Sequence, residues 1–532
     1  MRAAALALAL VAACAGVVAR FAWLGRATFF ADETVTAQRV SGRTDRDVNA
    51  LFDGRIRPAR EVHSFVDDPA GPPAIVAALA TDEPQHPPLF YLIERGVVGV
   101  GGTSAVAFRV LPAALGVLGI ALAWLLGLQL FRTREAAAVA AALVAVGPFF
   151  VEYARQAREF GLLVDVTLAA CVALLWAFDR PASALRWCAF CALASAGLYT
   201  TPLFGLVLVG FVATLCFAPG PPRMRAAGFA AAVAVALAAF APWMIATARA
   251  GNGVDARLAW AMVAYPVRLV VAKWAFALGA LGFDLEYVHP ALAGVAAAFA
   301  AVAVVALVVL GARATTPQWR RAAALLLPLV IVPLAYFVFR DAVQRAHFAT
   351  IPRYLTTALT GAQFATAGMI GSGLSAARTW VRAAAFAAFA AFVAAGIASA
   401  AVQVASEDWW PNHEDMPVQS AVRTIDTTAH PLVVVRGASP LAFELARYLP
   451  GDTEMLLLDA RTPFPRLPKR LSYYVEQPPA SAEPPAGFER EDVTPRDASA
   501  LGVLRGGLGQ RARSRTTLWR LVPRAGRARA AQ

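Results

Sequence analysis

The sequence predicts a polytopic α-helical membrane protein of about eleven transmembrane helices, with a large extracytoplasmic first loop and a small C-terminal α/β domain. Three observations predict it. The 532-residue chain is 59% hydrophobic and 16% charged, with a mean hydropathy of +0.57, too apolar for a string of soluble domains. Its net charge of +13 is carried by basic residues set between apolar runs, which fits the positive-inside rule. No nucleic-acid motif accompanies that charge. Beyond about residue 405 the apolar density drops while proline and charged residues rise, marking a change of domain.

The elements follow in order. The N-terminus, "MRAAALALALVAACAG", resembles a bacterial lipoprotein signal, but its apolar run resumes through Trp23 and Leu24, so an uncleaved first helix over 3–24 is expected. Further spans are predicted over 105–130, 135–150, 160–178, 185–200, 202–218, 226–247, 290–311, 321–339, 354–374 and 382–404. Alternate loops then carry Arg2, Arg132 and Arg134, Arg180 and Arg186, Arg223 and Arg225, Arg313, Arg320 and Arg321, and Arg378 and Arg382. These loops are cytoplasmic by the positive-inside rule. All six histidines, His63, His86, His289, His347, His413 and His430, fall on the opposite face. So do nearly all carboxylates, leaving Glu135 and Asp179 inside. The five cysteines lie within apolar runs and imply no disulfide framework.

Three longer segments face outward. Residues 25–104 end in "HPPLFYLIERGVVGV", too short and too charged to span, so juxtamembrane helices are expected there. Residues 248–289 hold an apolar stretch interrupted by Arg268 and Lys273, which fits an interfacial or re-entrant helix. The tail, 405–532, alternates strand-like and helix-like runs in "PLVVV", "PLAFELARYL", "EMLLLD", "LSYYVE" and "TTLWRLV". That order predicts a small α/β domain beside a helical transmembrane domain of residues 1–404. The Arg-rich end suits contact with anionic lipid.

Chemistry-bearing residues gather on the outer side. Asp32 and Glu33 follow the first helix directly, where desolvation and mutual repulsion raise the pKa of one carboxylate and suit it to general-base work. The same pair also suits a solvated helix start. In "DEPQHPPLFYLIER" two prolines let a helix begin at Pro88 or Leu89, with His86 just upstream of an N-terminus that favours anions. In "PFFVEYARQAREFGLLVD", Tyr153, Arg155 and Arg158 are placed to hold a phosphate, Glu159 lies beside them, and Asp165 sits deeper in a helix. Snorkelling to lipid headgroups is the plainer role for those arginines. "RDAVQRAHFATIPRYLTT" adds Arg340, Arg345, Arg353 and Tyr354 to a positive rim. Carboxylates beside arginines and aromatics at a membrane surface suit a substrate with a lipid tail, a phosphate and a polar group to be transferred.

The joint order of "ADE", "HPPLFYL", "PFFVEYARQAREFGLL", "GLYTTPLFGLVLV", "APWM" and "IPRYL" resembles the GT-C glycosyltransferases. The likeness is to the family-39-like protein O-mannosyltransferase and aminoarabinose-transferase type, over roughly residues 20–375. The resemblance implies sugar transfer from a polyprenyl-phosphate donor to an extracytoplasmic acceptor: a protein, a lipid A or other glycolipid, or a cell-wall glycan. It implies a catalytic role for Asp32, with Glu33 beside it, and an active cavity bordered by His86 to Leu89. Where many relatives read "YSQEARPYAL", this chain has "YARQAREFGL". Gln156 thus replaces the usual glutamate and Glu159 the usual proline, while Arg158 is retained.

The expected partners are a polyprenyl-phosphate-linked sugar, an acceptor and membrane lipid, in a bacterial inner membrane with the N-terminus cytoplasmic. No cofactor is assigned. A divalent ion shared by Asp32, Glu33 and His86 stays open, and no metal site is assigned. The competing expectation from another class is a transporter, flippase or non-catalytic binder of lipid-linked sugars, using an intramembrane acid such as Asp165.

Overall fold

A computed structural model describes the chain apart from residues 218–221, 251–257, 259–260, 286–288, 410–415, 438, 477–484, 496–515 and 525–532. His413 and most of the Arg-rich end lie outside the described residues. From the N-terminus run α1 (Arg2–Phe21), α2 (Ala31–Val40), α3 (Asp45–Asn49), β1 (Asp53–Pro58), α4 (Ala59–Ser64), α5 (Pro72–Asp82) and α6 (Leu89–Gly101). Next come α7 (Ala105–Phe131), α8 (Arg134–Val146), α9 (Pro148–Tyr153), α10 (Phe160–Asp179), α11 (Ala184–Thr200), α12 (Phe204–Phe217) and α13 (Pro222–Ala250). Then follow α14 (Val267–Gly279), α15 (Ala293–Ala312), α16 (Pro317–Gln344), α17 (Thr356–Leu374) and α18 (Thr379–Ala405). The tail holds α19 (Val418–Asp426), β2 (Leu432–Arg436), α20 (Ser439–Tyr448), β3 (Glu454–Leu458), β4 (Ser472–Glu476), β5 (Phe488–Asp492) and β6 (Thr517–Pro523).

Each of the eleven expected spans is helical. Among the described residues, seven helices are long and apolar enough to cross a bilayer: α1, α7, α10, α13, α15, α16 and α18. This is a multi-pass membrane protein. Helix α14 has 13 residues, too few for a crossing that needs about 20.

Contacts divide the chain into Met1–Leu24 with Leu79–Ala405, and Gly25–Ala78 with Ser406–Gln532. The first unit is helical and has α8 at its centre. Every residue from Ala136 to Val146 is buried, and the run is mostly alanine. Lipid offers no hydrophobic drive between helices, so close packing of small residues does this work. A Cβ added at Gly16, Gly371 or Gly396 would press into Ala145, Ala136 or Val146 of α8.

At the C-terminal end of α8 the Leu143 carbonyl accepts from the Gly147 N–H at 2.9 Å, and side chains supply further donors to the last carbonyls. Gln363 donates to Leu143 O at 3.0 Å, while the fully buried Arg20 donates to Val144 O at 2.9 Å and Ala145 O at 2.6 Å.

The second unit is a six-stranded sheet in the order β1-β3-β2-β4-β6-β5. Strands β2, β3 and β4 are parallel, while β1, β6 and β5 run antiparallel to their neighbours. The apolar runs of the parallel strands face both ways, with Leu432, Val434, Leu456, Leu458 and Tyr474 in one buried cluster. The tail strands expected from sequence are present. Strand β1 is an addition from the first outer loop, where only helices were expected, and its Ile56 stands opposite Leu456.

Candidate active site

In the helical unit, His86 is held by a short strap. Its backbone N–H donates to Glu83 O at 2.8 Å. The Pro84 carbonyl accepts from the Trp243 indole at 2.8 Å and the Thr247 hydroxyl at 3.1 Å. Helix α6 begins directly after Pro88, as the two prolines predict.

Glu159 caps the other side of the site, at the residue before α10. Its carboxylate lies 2.9 Å from His86 Nδ1 through Oε1 and 3.3 Å from Arg158 Nε through Oε2. Arg158 Nη2 lies 3.4 Å from His86 Nε2, and Nη1 lies 3.5 Å from the Tyr91 hydroxyl. Glu159 and Arg158 are only 2% and 5% exposed, so this triangle is shielded from bulk water. Burial pushes the Glu159 carboxyl up, but Arg158, His86 and the hydrogen bond from His86 outweigh it and bring the pKa down to about 2.

The cluster opens onto a cavity of about 460 Å³ whose lining includes His86, Glu159, Phe160, Thr201, Arg340 and Tyr354. The Arg340 guanidinium lies over the Phe348 ring at 3.9 Å, and Tyr354 stacks near Phe337 at 5.6 Å. Asp341 fixes this wall by accepting from the Phe348 and Ala349 backbone N–H groups, both at 2.8 Å. The remaining lining is largely apolar and includes Phe339 and Val343, which are 69% and 65% exposed on α16.

The other predicted residues stand elsewhere or act differently. Tyr153 packs between Phe149 and Phe160, at 4.9 and 5.4 Å, and so supports a cavity-lining ring. Arg155 hydrogen-bonds to Ala19 O at 2.5 Å and Ala22 O at 2.7 Å, tying down the end of α1. The Arg353 guanidinium lies 5.7 Å from the Tyr354 ring. Asp165 is buried against Gly119 and interacts electrostatically with Arg20.

Asp32 and Glu33 belong to the second unit, in the first turn of α2. Glu33 is fully buried and caps the helix, its Oε2 accepting from Phe30 N–H at 3.3 Å. Asp32 is half-buried one residue earlier. The chain just ahead of it is anchored to the tail: Thr28 N–H donates to Glu407 O at 2.6 Å and Phe29 N–H to the Tyr448 hydroxyl at 2.7 Å. Arg447 lies 4.3 Å over the Phe29 ring.

Sequence reasoning placed Arg340 only on a rim and missed Tyr91 and Thr201. Tyr91 lies in the quoted "HPPLFYL" run, one helical turn beyond Pro87, and its spacing could have drawn notice. Nothing in the sequence marks Thr201. Among the described residues, no three His, Cys, Asp or Glu side chains converge to hold a metal ion.

Residues 85–246 match the protein family described as dolichyl-phosphate-mannose-protein mannosyltransferase. The structure resembles ArnT from Cupriavidus metallidurans bound to undecaprenyl phosphate, with a TM-score of 0.51 and 14% identity over 96% of this chain and 97% of that one. Against ArnT in the apo state the TM-score is 0.52, with 13% identity and the same coverage. The likeness to ArnT shows a shared fold. A lower similarity is found to the archaeal oligosaccharyltransferase AglB from Archaeoglobus fulgidus, solved with an inhibitory peptide and a dolichol-phosphate. There the TM-score is 0.45 and the identity 13%, over 84% of this chain and 65% of AglB. The chain therefore spans about two thirds of the AglB length. No curated protein matches the sequence.

Proposed function

We propose that the protein is an integral-membrane glycosyltransferase that moves a sugar from a polyprenyl-phosphate donor to an extracytoplasmic acceptor. The observation that carries this proposal is the cavity in the helical unit. Its lining holds His86, Glu159 and Tyr354, with Arg158 in contact with His86, while α16 contributes Arg340 together with the exposed apolar side chains of Phe339 and Val343. Guanidinium groups match phosphate oxygens, and an apolar face exposed on a membrane helix accepts an isoprenoid tail. The match of residues 85–246 to a family named for a dolichyl-phosphate sugar donor supports the same donor class.

In the proposed reaction the acceptor hydroxyl attacks the anomeric carbon as the bond to the phosphate oxygen breaks, through a transition state of oxocarbenium character. Asp32 takes the acceptor proton. Arg158 and Arg340 steady the charge that grows on the departing phosphate. Glu33 shapes the helix that presents Asp32, and Arg155 and Tyr153 set the backbone and ring behind the cavity. The acceptor is a protein, a glycolipid or a cell-wall glycan on the outer face of a bacterial inner membrane. The basic loops lie inside.

The test uses membranes carrying the natural chain or the Asp32→Asn form with a panel of labelled prenyl-phosphate sugars. Donor-dependent transfer by the natural chain, reduced at least about 100-fold in Asp32→Asn, is the expected result. Equal transfer by both forms would remove Asp32 from the reaction.

A further inference from the structure

We propose that His86 is the general acid that protonates the departing prenyl phosphate, and that Glu159 is the positioning residue that aims it. The inference rests on the glycosyl-transfer proposal above and gives a role to the buried acid Glu159.

Glu159 Oε1 stands 2.9 Å from His86 Nδ1, and because an ionised carboxylate only accepts, this contact favours the hydrogen of His86 on Nδ1. Nε2 is then the working atom, and Arg158 Nη2 stands 3.4 Å from it. Nε2 is thereby placed to accept from the guanidinium. A phosphate entering between them attracts Arg158 to its own oxygens and, by its negative charge, favours a proton on Nε2. The imidazole then carries two N–H groups, one held by Glu159 and one directed at the phosphate. Glu159 and Arg158 face this ring, Tyr91 lies behind Arg158, and Arg340 and Tyr354 line the same cavity.

Glu159 itself is unsuited to proton transfer. Held between Arg158 and His86 with a pKa of about 2, it is too weak a base near neutral pH. It serves instead as the counter-charge that stabilises the imidazolium.

The step balances. The new bond joins the acceptor oxygen to the anomeric carbon, and the electron pair of the old bond goes to the phosphate oxygen. The acceptor proton passes to Asp32, and the Nε2 proton of His86 passes to a phosphate oxygen. The products are the glycosylated acceptor and a prenyl hydrogen phosphate, with neutral His86 and protonated Asp32. Exchange with solvent restores both groups.

The test compares a prenyl-phosphate sugar with its phosphorothioate analogue, which has nearly the same shape but a less basic leaving group. Full-length natural protein, His86→Asn, Glu159→Gln and Glu159→Asp are assayed in lipid nanodiscs, with thermal unfolding measured on each. With the phosphate donor, kcat of His86→Asn is expected to fall by about 100-fold or more, and with the phosphorothioate the loss should shrink at least about tenfold. Glu159→Gln should show the same pattern to a smaller degree, and Glu159→Asp should recover part of the rate. Should His86→Asn not fold, the two Glu159 forms carry the same comparison. An equal loss with both donors, or a change in KM alone, would overturn the proposal. Absence of transfer by the natural protein from either donor would instead remove the glycosyl-transfer proposal, and this inference with it.

Discussion

Two arginines three positions apart have different tasks. Arg155 donates to the carbonyls of Ala19 and Ala22, whereas Arg158 faces Glu159, His86 and Tyr91 at the cavity. Near a bilayer, carbonyls at a helix end without a donor are left unsatisfied, and hydrogen bonds from a charged group contribute about 1.5–3 kcal/mol each. Arg155→Ala is therefore expected to lower the thermal unfolding temperature of the full chain markedly. Arg158→Gln takes the main counter-charge from buried Glu159, so it should lower the unfolding temperature too, but unlike Arg155→Ala it should also weaken donor binding at least about tenfold. Melting curves and donor titration of the two variants check this pair of outcomes. Sequence reasoning grouped both arginines as phosphate ligands because residue type and loop position were its only guides. The acidic pair shows the same limit: both Asp32 and Glu33 were legible as candidates, but only the start of α2 at Ala31 makes Glu33 the capping residue.

Elements were more legible than their partners. Each predicted span is a helix because a run of apolar residues near the membrane has few other ways to satisfy its backbone. The helix α8 was harder to interpret, since its 13 residues are short for a crossing of about 30 Å. Its complete burial supplies the explanation: alanines on every face let α1, α17 and α18 approach closely, with Gly371 of α17 against Ala136. Replacing Gly371 with valine should overpack this contact and destabilise the protein by about 1–3 kcal/mol, read as a lower unfolding temperature with the cavity residues untouched. An unchanged melting curve would mean that the helices can part at no cost. Strand β1 was not legible at all. Its sequence, "DGRIRP", carries one large apolar residue, and only pairing with β3, 396 or more residues away in the chain, makes it a strand.

For the whole molecule, the division of labour follows the chain's two units. The outer loop and tail together build the sheet unit, which anchors the segment leading to Asp32 through Glu407, Tyr448 and Arg447. The helical unit builds the cavity, with His86, Arg158, Glu159, Arg340 and Tyr354 drawn from three separate stretches of sequence. Motif order foretold the chemical character of those stretches. It could not foretell which side chains meet, because the strap before α6, the turn before α10 and the C-terminal end of α16 converge only on folding.

The central claim is that the cavity takes the prenyl-phosphate donor, and photoaffinity mapping tests it most directly. A prenyl-phosphate sugar with a photoreactive group near its phosphate is cross-linked to the full-length protein in nanodiscs, and the labelled peptides are sequenced. Label is expected on residues 336–354 and on the stretch around His86, displaced by unlabelled prenyl phosphate and reduced in Arg158→Gln. Label confined to other parts of the chain, or unchanged by the competitor, would contradict the account.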